Sequence, residues 1–164
     1  GDGRVFAIGA SPDGRCDTAA WHDVVDIACG VRHTAAVLSD GHCVATGDNS
    51  RGQCAVGDWE NVVMIACGEF HTAGVTADGR VLVVGNAGGE ACRVEDLRDV
   101  ISVACLPEAT VCVHADGHMT VRGGDGMLAE AVAPIRDAVA VDGKEYRLAV
   151  LTVDRRVLFL PGTE

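Results

Sequence analysis

Short runs of β-branched and alanine-sized residues recur along the chain, each bounded by glycine or Asp-Gly, and none carries a helical spacing. Val24-Val25-Ile27, Val62-Val63-Ile65, Val100-Ile101-Val103 and Ala138-Val139-Val141 form one set and predict a first strand over 23–29, 61–67, 99–105 and 137–143. Such runs fit strands buried on both faces. A second strand is predicted over 34–39, 72–77, 110–115 and 148–153, and a third over 4–8, 42–46, 80–84, 118–122 and 156–160. Asp-Gly opens the third strand in the first four copies and predicts a type I′ hairpin turn, which needs positive φ at both central residues. Arg155 replaces that glycine in the fifth copy, where strain or a different turn is expected. A glycine-rich loop follows the third strand at 9–16, 47–54, 85–92 and 123–130, and a short fourth strand is expected before Trp21, Trp59, Leu97 and Ile135. No helix is predicted, because no stretch repeats its apolar positions every 3.6 residues between caps.

Asp2, Asp40, Asp78, Asp116 and Asp154 fall 38 residues apart without insertion or deletion. A fixed period in this range marks a repeat architecture. Three or four antiparallel strands per unit describe a propeller blade. The reading is a single all-β repeat domain over 1–164, with repeats at about 2–39, 40–77, 78–115 and 116–153 and a partial copy at 154–164. Five third strands stand against four first and second strands, so one is surplus to a simple four-blade closure. A partial or oligomer-completed propeller is expected, with a closed four-bladed ring the last choice. A terminal blade with unpaired edges invites pairing, so homo-oligomerisation enters as an alternative role.

Composition narrows the function. Hydrophobic residues make up 48% of the chain but aromatics only 4%, so small side chains must do the packing. Net charge is −11 and Lys144 is the only lysine, which argues against binding nucleic acid or an anionic membrane and leaves a basic protein partner open. No apolar run reaches the roughly 18 residues needed to span a bilayer. No signal peptide is visible, and the chain starts without Met one residue before a repeat boundary, as a fragment of a longer array or a processed form would. Cys16, Cys54 and Cys92 share one repeat position, and Cys29, Cys67 and Cys105 another. Equivalent positions in neighbouring repeats are usually too far apart to bridge, so free thiols in a reducing cytoplasm are expected.

One copy carries a fuller signature. Gly41-His-Cys-Val-Ala-Thr-Gly-Asp-Asn-Ser-Arg-Gly-Gln-Cys54, then Trp59 and Ile65-Ala-Cys-Gly-Glu-Phe-His-Thr72, closely resembles a repeat of the regulator-of-chromosome-condensation family. The preceding copy keeps Trp21 and Ile27-Ala-Cys-Gly-Val-Arg-His-Thr34. The third copy replaces the corner glycine and histidine by Leu106 and Ala109, and the fourth has Lys144 and Arg147 there. The resemblance implies propeller blades serving as a protein-interaction platform. Some members of that family catalyse nucleotide exchange on a small GTPase through a wedge-like insertion. The unbroken period leaves no room for one, so that role does not carry over. Nor does the regularity support the β-lactamase inhibition of a secreted bacterial member type.

Candidate chemistry is sparse. Cys-x-x-x-His at Cys29/His33 and Cys67/His71 has the look of zinc spacing, but four ligands must converge and repeat-equivalent residues spread around a ring, so a structural hydrogen bond is the favoured reading. His114 and His118 near Cys112 flank a hairpin tip and read as exposed. The loop 48–52 lacks the alternating oxygen ligands and distal Glu of a calcium loop. No nucleophile elbow or Walker loop is present, so neither catalysis nor a cofactor is expected. Trp21 and Trp59 read as inter-blade packing. The informative residues are those that differ between copies at the blade corner: Val31-Arg32, Glu69-Phe70, Pro107-Glu108 and Glu145-Tyr146. Arg32, Glu69, Phe70, Glu108 and Tyr146 are the candidate protein-binding residues, since aromatic and arginine side chains dominate protein hot spots.

Overall fold

Twelve strands form four separate three-stranded antiparallel sheets in a computed structural model that describes residues 2–86 and 89–161. Ala87 and Gly88 of the third glycine-rich loop, and residues 162–164 of the partial repeat, lie outside the described residues. The first blade holds β1 (Val24–Cys29), β2 (His33–Leu38) and β3 (Cys43–Gly47). The second holds β4 (Val62–Cys67), β5 (His71–Thr76) and β6 (Val81–Gly85). The third holds β7 (Val100–Leu106), β8 (Ala109–His114) and β9 (Met119–Gly123). The fourth holds β10 (Ala138–Lys144), β11 (Arg147–Thr152) and β12 (Val157–Pro161). Sheet order follows chain order in every blade, so each blade is a meander with its second strand in the middle.

Central position decides burial. β5 and β8 are buried along their whole length, and β2 at all but its last residue. The first strands, expected to be buried on both faces, instead expose Val25, Val63, Ile101 and Val139. Each is a sheet edge, and together they line a central cleft of about 400 Å³ reached by residues from all four blades. A β-branched run between glycines therefore marks the innermost strand, while the middle strands β2, β5 and β8, richer in Ala and Thr, are buried on both faces; β11 of the fourth blade alternates between buried and exposed.

Blades pack face to face. Ala35, Val37, Cys43 and Ala45 of the first meet Ile65, Cys67, Leu82 and Val84 of the second, sealed by Val56 and Trp59. Trp59 lies so close to Gly74 that a Cβ there would sit 2.9 Å from the indole. The same layering recurs between the second and third blades and between the third and fourth.

The Asp-Gly turn differs from the type I′ expectation. Only its glycine has positive φ, as at Gly41 (φ 85°) and Gly117 (φ 86°). Gly41 N–H donates to the Leu38 carbonyl and Leu38 N–H to the His42 carbonyl, which is a type I turn followed by a glycine bulge. Asp40 earns its place by accepting the His42 N–H at 3.0 Å. The glycine also joins blades. Val24, Val62, Val100 and Ala138 each donate N–H to the turn glycine 21 residues earlier, at 3.0–3.1 Å. Arg155 keeps the left-handed conformation (φ 65°), so the fifth turn has the same shape with a residue that pays strain for it.

Three further expectations change. Residues 4–8, expected as a third strand, are not one: among the described residues no strand pairs with them. The stretch after each glycine-rich loop forms turns rather than a fourth strand, and the third of these loops itself ends in a single 3-10 turn, Glu90–Cys92. In the last loop α1 (Met127–Val132) forms a short helix, which buries Leu128 and Val132 in the apolar layer between the third and fourth blades. It spans six residues, too short for a 3.6-residue period to show in sequence.

Candidate functional site

The corner between first and second strands is only two residues long in the last two blades, because Leu106 pairs with Ala109 and Lys144 with Arg147. Residues so constrained at a hairpin end point away from the sheet. The loop after each third strand is tied to the same corner. Asp48 N–H donates to the Arg32 carbonyl, Asn86 N–H to Phe70 and Gly124 N–H to Glu108, all at 2.8–2.9 Å. Glycine ends the third strand for this reason: a Cβ on Gly85 would lie 2.2 Å from the Phe70 carbonyl. Variable corners and glycine-rich loops thus share one end of the blade array.

On that face Glu69, Phe70, Glu108 and Tyr146, from three successive blades, come together in one groove of about 310 Å³ with Arg51, Asn86 and Pro107. The Arg51 guanidinium sits 5.7 Å from the centre of the Phe70 ring, within cation–π range. Tyr146 is half exposed. Two carboxylates, two aromatic rings and one guanidinium make this groove both charged and apolar. Arg32 stands at the first corner, outside this groove. Arg51 was hidden in sequence by its place in the Gly-Asp-Asn motif. Its one available signal was variation at the equivalent positions Asp13, Gly89 and Met127.

The motif around Arg51 is scaffolding. Asp48 accepts the Ser50 N–H at 2.9 Å and the Gln53 side-chain amide at 3.3 Å, while Asn49 accepts the Cys54 N–H. The hydrogen bonds from Ser50, and less strongly the nearby Arg32, hold the Asp48 carboxyl below the usual carboxylate range. Its oxygens already serve loop donors.

His33 and His71 are buried blade-to-blade ties. His33 Nε2 lies 2.8 Å from Thr72 Oγ1, and that hydroxyl donates to the Gln53 carbonyl at 2.7 Å. The hydroxyl proton being committed, His33 must donate through Nε2–H. His71 repeats the contact with Thr110 at 3.3 Å. Burial pushes both imidazoles down to about 4, so both are neutral near pH 7. Among the described residues the Nδ1 of each has no hydrogen-bond partner.

His114 and His118 stack with ring centres 4.0 Å apart. His114, expected to be exposed, is buried, with Nδ1 on the Arg98 carbonyl and Nε2 on Thr120 Oγ1. His118 bonds Asp116. Among the described residues no group of three His, Cys, Asp or Glu side chains is placed to hold a metal ion. All eight cysteines are free thiols, and burial pushes Cys67 and Cys112 up to about 12. No helix among the described residues is long and apolar enough to cross a membrane.

Comparison with known proteins fits this picture. Residues 24–53 and 62–88 match the family model of the regulator of chromosome condensation (RCC1) repeat. A comparison with curated proteins finds no match. Human WBSCR16 superposes with a TM-score of 0.67 at 19% identity, covering 84% of this chain and 47% of that one. The ectodomain of the Physcomitrella patens receptor kinase CR4 gives 0.66 at 14% identity over 83% of this chain and 40% of that one. Prp20p from Saccharomyces cerevisiae gives 0.54 at 21% identity over 66% and 36%. The chain thus spans less than half the length of each. These likenesses carry the fold, and the matched segments carry the signature read from the sequence. The chain is an all-β array of propeller blades, two of whose segments, residues 24–53 and 62–88, match the model of the regulator of chromosome condensation (RCC1) repeat.

Proposed function

We propose that this blade array is a non-catalytic protein-interaction module that receives a basic segment of a partner protein in the Glu69–Phe70–Glu108–Tyr146 groove. The observation that carries the reading is convergence: four residues that vary between repeat copies, from three blades, line one groove. Variation at fixed scaffold positions is how a repeat protein builds a specific surface. The net charge of −11 attracts a cationic segment over a distance and disfavours nucleic acid. Glu69 and Glu108 pair with its ammonium or guanidinium groups, while Phe70 and Tyr146 cover the aliphatic stems. The structure of Prp20p was described together with its binding to Gsp1p and histones, which supports the interaction class. A cytoplasmic location belongs to the same proposal and rests on the eight free thiols.

Titration of a lysine- and arginine-rich peptide by calorimetry tests it. Phe70→Ala with Tyr146→Ala is expected to weaken binding at least about tenfold, or roughly 1.4 kcal/mol. Glu69→Lys with Glu108→Lys is expected to do the same and to flatten the salt dependence. Unchanged affinity in both double variants would contradict the assignment.

A further inference from the structure

The corner groove already holds a cation of its own. The Arg51 guanidinium lies 5.7 Å from the centre of the Phe70 ring, on a ring face that would equally suit the guanidinium or ammonium group of a partner. Phe70 stands at the corner between β4 and β5. That blade packs against the first blade on one side and the third on the other, so the pair lies in the interior of the array.

The loop does not need an arginine at position 51. It uses the backbone there: Arg51 N–H donates to Gln53 Oε1 at 2.9 Å, and Gly52 N–H donates to the Asn49 carbonyl at 3.1 Å. The first glycine-rich loop makes the same turn with Asp13 in that place. The Arg51 side chain is exposed, and among the described residues it enters no ion pair and no hydrogen bond. Glu69 and Glu108 line the same groove, and among the described residues neither is in an ion pair. A fixed cation beside them lowers their pull on an incoming basic segment. Arg51 therefore opposes the binding that the other groove residues favour, unless its side chain can leave.

We propose that Arg51 is an internal stand-in for the cation of a partner: it covers the Phe70 ring in the free protein, and a basic side chain of the partner takes that ring face as Arg51 swings out to solvent. This inference rests on the reading of the groove as a site for a basic segment. The two cations exclude each other on that face, so the exchange replaces one cation–π contact with another. The net gain must then come from Glu69, Glu108 and Tyr146, which pair with the rest of the segment. A lone basic side chain gains little by the exchange, whereas a segment with several engages both carboxylates. Arg51 thus sets specificity by turning away single cations and admitting multiply basic chains.

Two measurements on the full chain with a lysine- and arginine-rich peptide test this. By calorimetry, Arg51→Gln is expected to bind the peptide about two- to fivefold more tightly than the parent, the worth of one exposed cation–π contact. By NMR, the Arg51 Nε–H resonance of the parent carries the ring-current shift of Phe70. It is expected to move, as the peptide saturates, to its position in Phe70→Leu. Equal or weaker binding by Arg51→Gln overturns the proposal, the weaker result making Arg51 a direct contact for the partner. Tighter binding by Arg51→Gln with the parent Nε–H unmoved also overturns it, because charge repulsion alone would then explain the gain. In each of these cases the peptide still binds, and the reading of the groove stands. Absence of binding by both the parent and Arg51→Gln overturns that reading and the proposal together.

Discussion

Gly117→Ala is expected to lower stability by about 3–5 kcal/mol, whereas Gly52→Ala should cost only about 1 kcal/mol. Both glycines hold positive φ, 86° and 82°, so both substitutions meet the same left-handed penalty. They differ in surroundings. A Cβ on Gly117 would stand 2.3 Å from the Arg136 carbonyl, and Gly117 also accepts the Ala138 N–H that opens the fourth blade. Nothing lies within 4 Å of a Cβ at Gly52. The added methyl at 117 must push the backbone of the next blade, so the cost is overpacking on top of strain. Urea denaturation of the two variants checks the difference; equal losses would mean that the turn glycine is needed for its conformation alone and does not join blades.

Acid is expected to weaken the protein between about pH 6.5 and pH 4, before its carboxylates titrate. Burial holds His33 and His71 at about 4, and the nearby Asp48 raises His33 only in part. An unfolded histidine titrates near 6.5. Below that pH the unfolded chain binds more protons than the folded one, so stability falls as pH falls, down to the folded pKa. Each imidazole contributes on the order of 2–4 kcal/mol of stability that is fully present above pH 6.5 and lost by about pH 4. The depressed carboxyls of Asp78, Asp116 and Asp154 act in a lower window: their contribution is present above their ordinary value of 3.8 and disappears below it. His33→Gln with His71→Gln retains a donor for Thr72 and Thr110 and removes the titration. Melting temperature against pH should therefore slope from 6.5 to 4 in the parent chain and run nearly flat in the double variant. Parallel curves would remove the histidines from the account.

Much of the fold was legible because it is local and repeated. The 38-residue spacing of the Asp-led turns marked the repeat units, and the strands fall within a residue or two of the hydrophobic runs in all four blades. What was illegible depends on neighbours. The Val25, Val63, Ile101 and Val139 series looks like doubly buried strand until the sheet order puts it at the inner edge. Asp23, Asn61 and Asp99 look like strand starts, yet they take left-handed φ of 56–57° just before the bulge that opens each first strand. Residues 4–8 have a strand's composition, yet no strand among the described residues pairs with them. The groove was half legible. Corner variation singled out Glu69, Phe70, Glu108 and Tyr146, but that they share one groove while Arg32 stands apart depends on how successive blades pack, which no local pattern shows. Arg51 reaches them from the loop of the preceding blade, a contact no local pattern encodes.

If the corners of successive blades form one binding face, backbone NMR during titration with a lysine- and arginine-rich peptide will register it there. Amide resonance changes are expected to concentrate at residues 51, 69–70, 107–108 and 145–146, on a single saturation curve. Changes centred instead on the inner strands or the terminal faces around Ile27 and Phe159, or no saturable change at all, would contradict it.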